Sequence, residues 1–244
     1  MKIAVAGKGG SGKTTVAGTL ARELARSGRS VLAIDGDTNP MLGISLGVGP
    51  EETYRLVSVR QGVDAGTFDR DAPAEEMVET FGTDAPDGVR LVVTLREHRT
   101  DPGCTGCAGV TPQKMLDRLE GDSRAVICDL EAGVGAVVHG GHCDLVLVVA
   151  EPSAKSIDVA RRAAASASGH AEVRIVANRL RGAEDLEAIS SAVGDYEIIE
   201  VPEDPAITLA DQEGRAPIDV DADSPAVSVL RALARRLDAE PVPA

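Results

Sequence analysis

The sequence predicts an α/β fold, a doubly wound and mostly parallel sheet of about seven strands with helices on both faces. Short apolar runs alternate with segments of helical periodicity along the 244 residues, which is the pattern of a parallel sheet whose strands are joined by helices. Several runs, such as LVLVVA at 145–150, are continuously apolar, as expected for strands buried on both faces. A sheet of this kind binds its ligands at the carboxyl ends of its strands.

The predicted strands follow directly from the apolar runs. They cover residues 2–6, 31–35, 89–94, 125–129, 145–150, 173–177 and 197–201. The first helix is predicted over 14–27. The stretch at about 50–88 is rich in Asp, Glu, Gly and Pro, so we expect a partly helical surface insertion there, within a single domain that covers residues 1–244.

Capping residues mark the starts of two later helices. Thr111 precedes Pro112 at the start of a helix predicted over 112–120, because threonine caps helix N-termini and proline is tolerated at the first helical position. Ser224 and Pro225 repeat this arrangement before the last helix. That helix carries a stripe of apolar residues at helical spacing, which we expect to pack into the core: Val227, Leu230, Leu233 and Leu237.

Composition excludes several classes of function. With 25 basic and 39 acidic residues the net charge is −14, so we expect neither nucleic-acid binding nor stable association with anionic membranes. No run reaches the roughly 18 apolar residues of a membrane span, and the opening MKIAVAG is too short for the apolar region of a secretory signal. We therefore expect a cytoplasmic protein whose four cysteines are reduced thiols.

A phosphate-binding loop is predicted at residues 7–14, GKGGSGKT, which fit the pattern G-x-x-x-x-G-K-[ST] between a strand and a helix. Its glycines let backbone N–H groups turn inward around phosphate oxygens, Lys13 neutralises the β- and γ-phosphates, and the Thr14 hydroxyl ligates Mg²⁺. The nucleotide-binding residues predicted in and beside this loop are Gly9, Gly10, Ser11, Gly12, Lys13, Thr14 and Thr15.

Residues 7–15, GKGGSGKTT, resemble the deviant Walker A motif of the MinD/ParA/nitrogenase-iron-protein class of dimeric ATPases, which are P-loop NTPases of the SIMIBI class. The resemblance implies ATP and Mg²⁺ as cofactors and a homodimer. It also implies that Lys8 is the signature lysine, which crosses the dimer interface to the phosphates bound by the partner. A cation supplied this way stabilises charge on the transferred phosphoryl group only when two subunits close. The alternative is a solvated loop lysine.

Acidic residues end two of the predicted strands. VLAIDGD ends with Asp35 and Asp37, and AVICD ends with Asp129. The resemblance implies that Asp37 orients the attacking water and so acts in catalysis with Lys8 and Lys13. It further implies that Asp35 lies near Mg²⁺, that Asp129 holds Mg²⁺ through water, and that Gly133 starts a switch segment. The alternative for any one of these carboxylates is a helix cap.

Base recognition is assigned by resemblance to two segments. Asn178 ends the strand VRIVAN, where the class places an asparagine against adenine, and VPEDP contains Pro202 and Asp204 at positions that resemble its other adenine-side loop. The aspartate of an N-K-x-D sequence reads guanine, and the stretch here is Asn178-Arg-Leu-Arg, so we expect ATP rather than GTP. Asn178 as a simple strand-end turn residue is the alternative.

Cys104 and Cys107 form a C-x-x-C pair in a glycine-rich loop at 101–111. One such pair supplies two thiolates, whereas a closed tetrahedral site for a soft metal needs four. A two-fold dimer brings two copies of the loop to its axis, so we expect a metal site shared by the dimer and occupied by nickel, zinc or an iron–sulfur cluster. A redox dithiol and a pair without function are the alternatives. A second metal candidate, at His139, His142 and Cys143, is more simply explained as structural.

The chain most resembles the maturation ATPases of carbon monoxide dehydrogenase, the CooC type, through CDLEAGV, VVAEPSAKSIDVARR and VPEDPAITLADQEGRAP. This implies a metallochaperone-type ATPase that inserts nickel into a client apo-enzyme. The CooC type carries C-x-C at this position, and the extra residue between Cys104 and Cys107 leaves nickel specificity open. GCAG at 106–109 resembles a cluster segment of the nitrogenase iron protein, while Glu131 to Gly133 occupy the stretch of that protein's second cluster cysteine. An ATP-dependent iron–sulfur reductase is therefore one alternative, and a MinD/ParA-like positioning ATPase is another.

Overall fold

The computed structural model describes residues 1–96, 110–119, 123–133 and 143–240. Within these ranges one sheet has eight strands, in the order β3-β4-β2-β5-β1-β6-β7-β8. Their bounds are β1 Lys2–Gly7, β2 Val31–Gly36, β3 Thr83–Asp84, β4 Val89–Val93, β5 Ala125–Leu130, β6 Leu145–Ala150, β7 Glu172–Leu180 and β8 Glu197–Pro202. All seven predicted strands are present. The eighth is β3, a two-residue edge strand antiparallel to β4.

The helices of the described ranges lie between these strands and after them. They are α1 Lys13–Arg26, α2 Leu42–Leu46, α3 Pro50–Arg55, α4 Val59–Asp64, α5 Ala74–Phe81, α6 Pro112–Arg118, α7 Ala154–Ala167, α8 Ala183–Val193, α9 Pro205–Glu213, α10 Pro217–Val220 and α11 Pro225–Ala239. In the parts of the chain that are described, no helix is both long enough and apolar enough to cross a membrane.

The sheet separates two apolar layers, which confirms the doubly wound architecture. Along β1, Ile3 and Val5 face a layer that also contains the buried side of α1 and the stripe of α11 apart from Val227, whereas Ala4 and Ala6 face a layer shared with α5, α6 and α7. Successive side chains of a strand point to opposite faces, so a strand with both faces covered must be apolar throughout. This is the reason that LVLVVA shows no polar alternation.

The two predicted capping arrangements differ in outcome. Thr111 caps α6 as expected, since its hydroxyl oxygen accepts a hydrogen bond from the Lys114 backbone N–H over 3.2 Å. Ser224 precedes Pro225, but its side chain makes no capping hydrogen bond. The Asp204 carboxylate accepts the Ala226 N–H instead, over 2.9 Å. A carboxylate is the stronger acceptor, so the N-terminus of α11 is capped from another element.

The segment at 50–88 packs more deeply than a surface insertion. It forms α3, α4 and α5, the edge strand β3 and a 3₁₀ turn at Pro86–Gly88. Val59 and Met77 are fully buried in the apolar layer on one face of the sheet, where α5 contacts β4. The outer strand β4 would otherwise leave this face open to water, and the segment covers it.

This packing predicts a strong contrast between two substitutions within the segment. Met77 is 1 % exposed and Tyr54 is 57 % exposed. We expect Met77→Ala to lower the free energy of unfolding by about 2–4 kcal/mol, because it removes buried methylene groups and leaves a cavity. Tyr54→Ala should change it by less than about 0.5 kcal/mol. Urea denaturation measures both, and equal small effects would show that the segment is not part of the core.

Candidate functional site

The loop between β1 and α1 adopts a conformation that requires glycine. Gly7, Gly10 and Gly12 have φ angles of 145°, 82° and 100°, values that L side chains rarely adopt. A Cβ atom on Gly7 would lie 2.4 Å from the Val149 carbonyl oxygen, and one on Gly12 would lie 2.3 Å from Asn178 Nδ2. The loop therefore rests directly against the ends of β6 and β7.

Lys13 and Thr14 begin α1 beside the end of β5. The Thr14 hydroxyl donates a hydrogen bond of 2.6 Å to Asp129 Oδ2, and Lys13 is 6 % exposed. The other carboxylate oxygen of Asp129, Oδ1, is buried and has no hydrogen-bond partner among the described residues. Burying an unpartnered carboxylate oxygen has a free-energy cost, which a ligand bound at this atom would lower.

Asp35 brings a second carboxylate to the same place. Strands β2 and β5 are neighbours and pair Asp35 with Asp129. Asp35 is 1 % exposed. Its Oδ2 accepts the Leu42 N–H over 2.8 Å and its Oδ1 accepts the Asp37 N–H over 3.1 Å. Burial raises the pKa of Asp35 to about 6, against these hydrogen bonds. Burial and the neighbouring Asp35 raise the pKa of Asp129 to about 7.

These groups fit a hard divalent cation. Carboxylate and hydroxyl oxygens are the ligands that Mg²⁺ prefers, and Mg²⁺ is usually held by one or two carboxylates together with water and substrate phosphates. Across the described ranges, no group of three or more His, Cys, Asp or Glu side chains forms a metal site by itself. A cation beside Thr14 and Asp129 would therefore need oxygen ligands from a bound phosphate or from water.

The segments that follow β2 and β5 are joined to each other and to the loop. The Thr38 hydroxyl donates a hydrogen bond of 3.1 Å to Glu131 Oε1, and the Gly133 N–H donates one of 3.1 Å to the Gly7 carbonyl. Asp37 lies directly before Thr38, and its Oδ1 accepts the Asn39 N–H over 2.9 Å. The contact between Thr38 and Glu131 was not predicted from the sequence, because neither residue belongs to a phosphate-loop pattern.

A cavity of about 590 Å³ opens from the loop toward the ends of β7 and β8. Its volume suits a nucleotide-sized ligand. Most of the residues predicted to contact nucleotide line it: Gly10, Gly12, Lys13, Thr14, Thr15, Asn178, Pro202 and Asp204. Gly9 is exposed and Ser11 is buried. The remaining wall includes Met41 and Ile44 beside the loop, which the sequence did not indicate.

Asn178 and Asp204 support the cavity wall through the backbone. Asn178 Nδ2 donates a hydrogen bond of 2.7 Å to the Ser11 carbonyl and so ties β7 to the loop. Both oxygens of Asp204 are used, since Oδ1 accepts the Ala206 N–H and Oδ2 accepts the Ala226 N–H, each over 2.9 Å. Asp204 therefore holds the starts of α9 and α11 together, and these two hydrogen bonds explain why a carboxylate is needed at this position.

Lys8 does not line this cavity. Its ammonium group donates to the Gly9 carbonyl over 3.0 Å and to Glu151 Oε1 over 3.3 Å. Of the described residues in the loop, Lys13 lines the cavity and Lys8 does not. Sequence reasoning missed Glu151 and Arg179, which form an ion pair over 3.2 Å. Glu151 follows β6 and Arg179 lies near the end of β7, and such positions at the carboxyl ends of strands could have indicated that both residues lie near the site.

The cysteine pair is not tested by these contacts. Cys104 and Cys107 lie outside the described residues, as do His139 and His142, so both metal hypotheses stay predictions. Cys143 packs partly buried against the core, and burial raises the pKa of its thiol to about 11.

The loop, the buried carboxylates and the sheet order define a P-loop nucleotide-binding domain. Residues 2–218 match the family model described as the CobQ/CobB/MinD/ParA nucleotide binding domain. The chain belongs to this family and is a P-loop ATPase of the MinD/ParA type.

Several particular proteins are similar over most of their length. An uncharacterised ATP-binding protein of Methanocaldococcus jannaschii is 30% identical, over 91% of this chain and 92% of its own. The carbon monoxide dehydrogenase accessory protein CooC of Rhodospirillum rubrum is 30% identical over 88% of each chain. Among solved structures, the septum site-determining protein MinD complexed with Mg-ADP from Pyrococcus horikoshii has the same fold, with a TM-score of 0.73, 22% identity, and coverage of 98% of this chain and 96% of that one.

The raised pKa values predict an unusual pH dependence in the absence of nucleotide and divalent cations. The folded-state pKa values of about 6 and about 7 exceed the unfolded values of about 4, so the folded state holds more protons between about pH 4 and 7. Its free energy of unfolding should therefore fall by at least about 2 kcal/mol as the pH rises from 5 to 8. Urea denaturation in a chelator measures this.

Asp129→Asn is the matched control for this measurement. It removes the carboxylate with the higher pKa while keeping the side-chain shape, so more than half of the pH dependence should disappear, and the part caused by the burial of Asp35 should remain. The same fall in the variant as in the original chain would show that the two carboxylates do not carry it.

Proposed function

We propose that the protein is a Mg²⁺-dependent, homodimeric ATPase that serves the maturation of a metalloenzyme, with nickel insertion as the leading case. The observation that carries the nucleotide part is the pair of buried carboxylates, Asp35 and Asp129, beside Lys13 and Thr14 at the end of a nucleotide-sized cavity. Two buried like charges with raised pKa values favour a site that works with a cation bound.

The proposed mechanism assigns each group a separate task. Backbone N–H groups of residues 9–15 and the Lys13 ammonium would bind the phosphates, and Thr14 with Asp129 and Asp35 would hold Mg²⁺. Bound Mg²⁺ supplies charge neutralisation of the β- and γ-phosphate oxygens. Asp37 accepts a hydrogen bond from the attacking water and orients it in line with the leaving oxygen. Thr38 and Glu131 link the two segments that would respond to the γ-phosphate.

The dimer is supported by the placement of Lys8. Its ammonium group lies outside the cavity that Lys13 lines, so it neutralises no phosphate of its own subunit in this arrangement. A lysine on the rim of a two-fold interface can reach the partner's nucleotide. There it would stabilise the negative charge that develops in phosphoryl transfer.

The maturation role is supported by similarity along the chain. Identity to CooC reaches 30% over 88% of both proteins, and CooC is described as a carbon monoxide dehydrogenase accessory protein. The Cys104 and Cys107 pair from each of two subunits would supply the four thiolates of a shared soft-metal site. ATP-driven closure would join the two loops, and hydrolysis would separate them and release the metal to a client apo-enzyme.

A second candidate function has a specific observation in its favour. The light-independent protochlorophyllide reductase iron-sulfur ATP-binding protein of Methylorubrum extorquens is 28% identical over 82% of this chain and 68% of its own. On that function the cysteines would hold an iron–sulfur cluster, and ATP hydrolysis would drive electron transfer. A brown colour and iron–sulfur absorbance in anaerobically purified protein would favour it over nickel insertion.

Lys8→Ala tests the two-subunit active site. We expect nucleotide binding to change by less than about threefold, while hydrolysis falls by about a thousandfold, the range seen when a charge supplied across an interface is removed. ATP-dependent dimerisation should be lost as well. Lys155→Ala, at an exposed position on α7, is the control. Turnover measured by phosphate release and mass measured by ultracentrifugation decide the outcome, and normal turnover in Lys8→Ala would refute the cross-subunit role.

The cysteine hypothesis is tested by metal content per dimer, with and without ATP. We expect the original chain to bind a soft metal at a single site per dimer, and the Cys104→Ala/Cys107→Ala double variant to lose it, because the variant lacks all four thiolates. Cys128→Ala is the control, since that thiol is fully buried inside β5 and belongs to neither metal hypothesis. Unchanged metal content and unchanged activity in the double variant would remove the basis for a metal-delivery function.

A further inference from the structure

Lys8 is held within its own subunit by a carboxylate that the catalytic machinery does not use. Its ammonium group lies 3.3 Å from Glu151 Oε1 and 3.0 Å from the Gly9 carbonyl oxygen. The Glu151 side chain is 18 % exposed, so the pair is partly shielded from water. The closest charge partner of Lys8 is therefore an acid of the same chain, at the end of the strand next to β1.

Glu151 is fixed in place on several sides. Arg179 Nη1 donates to its Oε2 over 3.2 Å, and the Ser153 hydroxyl donates to its Oε1 over 3.2 Å. Its backbone N–H donates to the Ser156 hydroxyl over 3.1 Å. Arg179 is one of two non-glycine residues in the described ranges with positive φ, at 60°, a conformation that needs support from its surroundings. Glu151 is thus a preorganised acceptor on the rim of the site.

We propose that Glu151 is a positioning residue that restrains Lys8 in the open subunit and releases it when ATP closes the dimer. This inference rests on the proposed cross-subunit role of Lys8. The lysine cannot contact its own Glu151 and the partner's phosphates at once, so the contact with Glu151 opposes closure. A partly exposed ion pair is weak, and the restraint biases the equilibrium without blocking it.

The restraint also favours ATP over ADP as the signal for closure. The triphosphate presents more negative charge than one carboxylate and so competes better for the lysine, whereas the diphosphate lacks the γ-phosphoryl group. After Lys8 leaves, Glu151 keeps its contacts with Arg179 and Ser153, so its charge stays partnered. The exchange therefore leaves no buried charge uncompensated.

The first test measures whether Glu151 holds Lys8 in the nucleotide-free monomer. An amine-acylating reagent modifies free lysines, and mass spectrometry gives the rate at Lys8. We expect Glu151→Gln to raise this rate about threefold, in line with the small strength of such pairs. Asp158→Asn is the control, because Asp158 is on α7 and pairs with Arg161 and Arg162. An unchanged rate in Glu151→Gln would overturn the proposal.

The second test measures closure with Mg²⁺ and a non-hydrolysable ATP analogue, by ultracentrifugation. We expect the dimer dissociation constant to fall about threefold in Glu151→Gln and to stay unchanged in Asp158→Asn. Glu151→Asp should behave like Glu151→Gln, because its carboxylate is one methylene shorter and no longer reaches the Lys8 ammonium group. It serves as the second variant if Glu151→Gln does not fold. A constant that is unchanged or raised would show that Glu151 does not oppose closure and would overturn the proposal.

These results are separable from the fate of the proposed function. If Lys8→Ala closes and hydrolyses normally, the cross-subunit role fails and the restraint has nothing to act on. If Lys8→Ala fails to close while Glu151→Gln behaves like the original chain, the two-subunit site stands and only the role of Glu151 is refuted.

Discussion

The burial of two neighbouring carboxylates, Asp35 and Asp129, is the constraint on which the site depends. These acids are the penultimate residues of two adjacent parallel strands and pair with each other, and the apolar sheet keeps water away from both. Backbone N–H groups stabilise Asp35 and the Thr14 hydroxyl stabilises one oxygen of Asp129. The remaining free-energy cost of burying the two charges is relieved by protons at low pH, and under the proposed function a bound cation would relieve it at higher pH.

Charges are also paired at the rim of the site. Lys13 lines the cavity, whereas Lys8 forms an ion pair with Glu151 outside it. An isolated subunit can therefore bind nucleotide with one lysine while the other is neutralised by its own chain. Under the proposed two-subunit site, a second subunit would offer Lys8 a more negative partner. On that proposal, the anion that Lys8 contacts would distinguish nucleotide binding from hydrolysis.

The sequence was informative where local chemistry decides the structure. The loop at 7–14 was predicted because glycines, lysine and threonine at fixed spacing have one common use, and the seven strands were predicted because they are apolar throughout. Contacts between distant segments were not predictable. Asp204 caps helices at both Ala206 and Ala226, and Glu151 meets Lys8 across 143 positions. Met77 lies in an irregular segment, and its burial follows only from the need to cover β4.

Asp204 links the cavity wall to the apolar core. One side chain fixes the starts of α9 and α11, and α11 also contributes Leu230 to the cavity wall and to the core beside α1. The part of the cavity distant from the loop at 7–14 is thus anchored to the same apolar layer as the helix that begins with Lys13. A substitution that loosens the packing of α11 at any point of its stripe would also displace this part of the cavity wall. Such substitutions should therefore lower nucleotide affinity as well as stability.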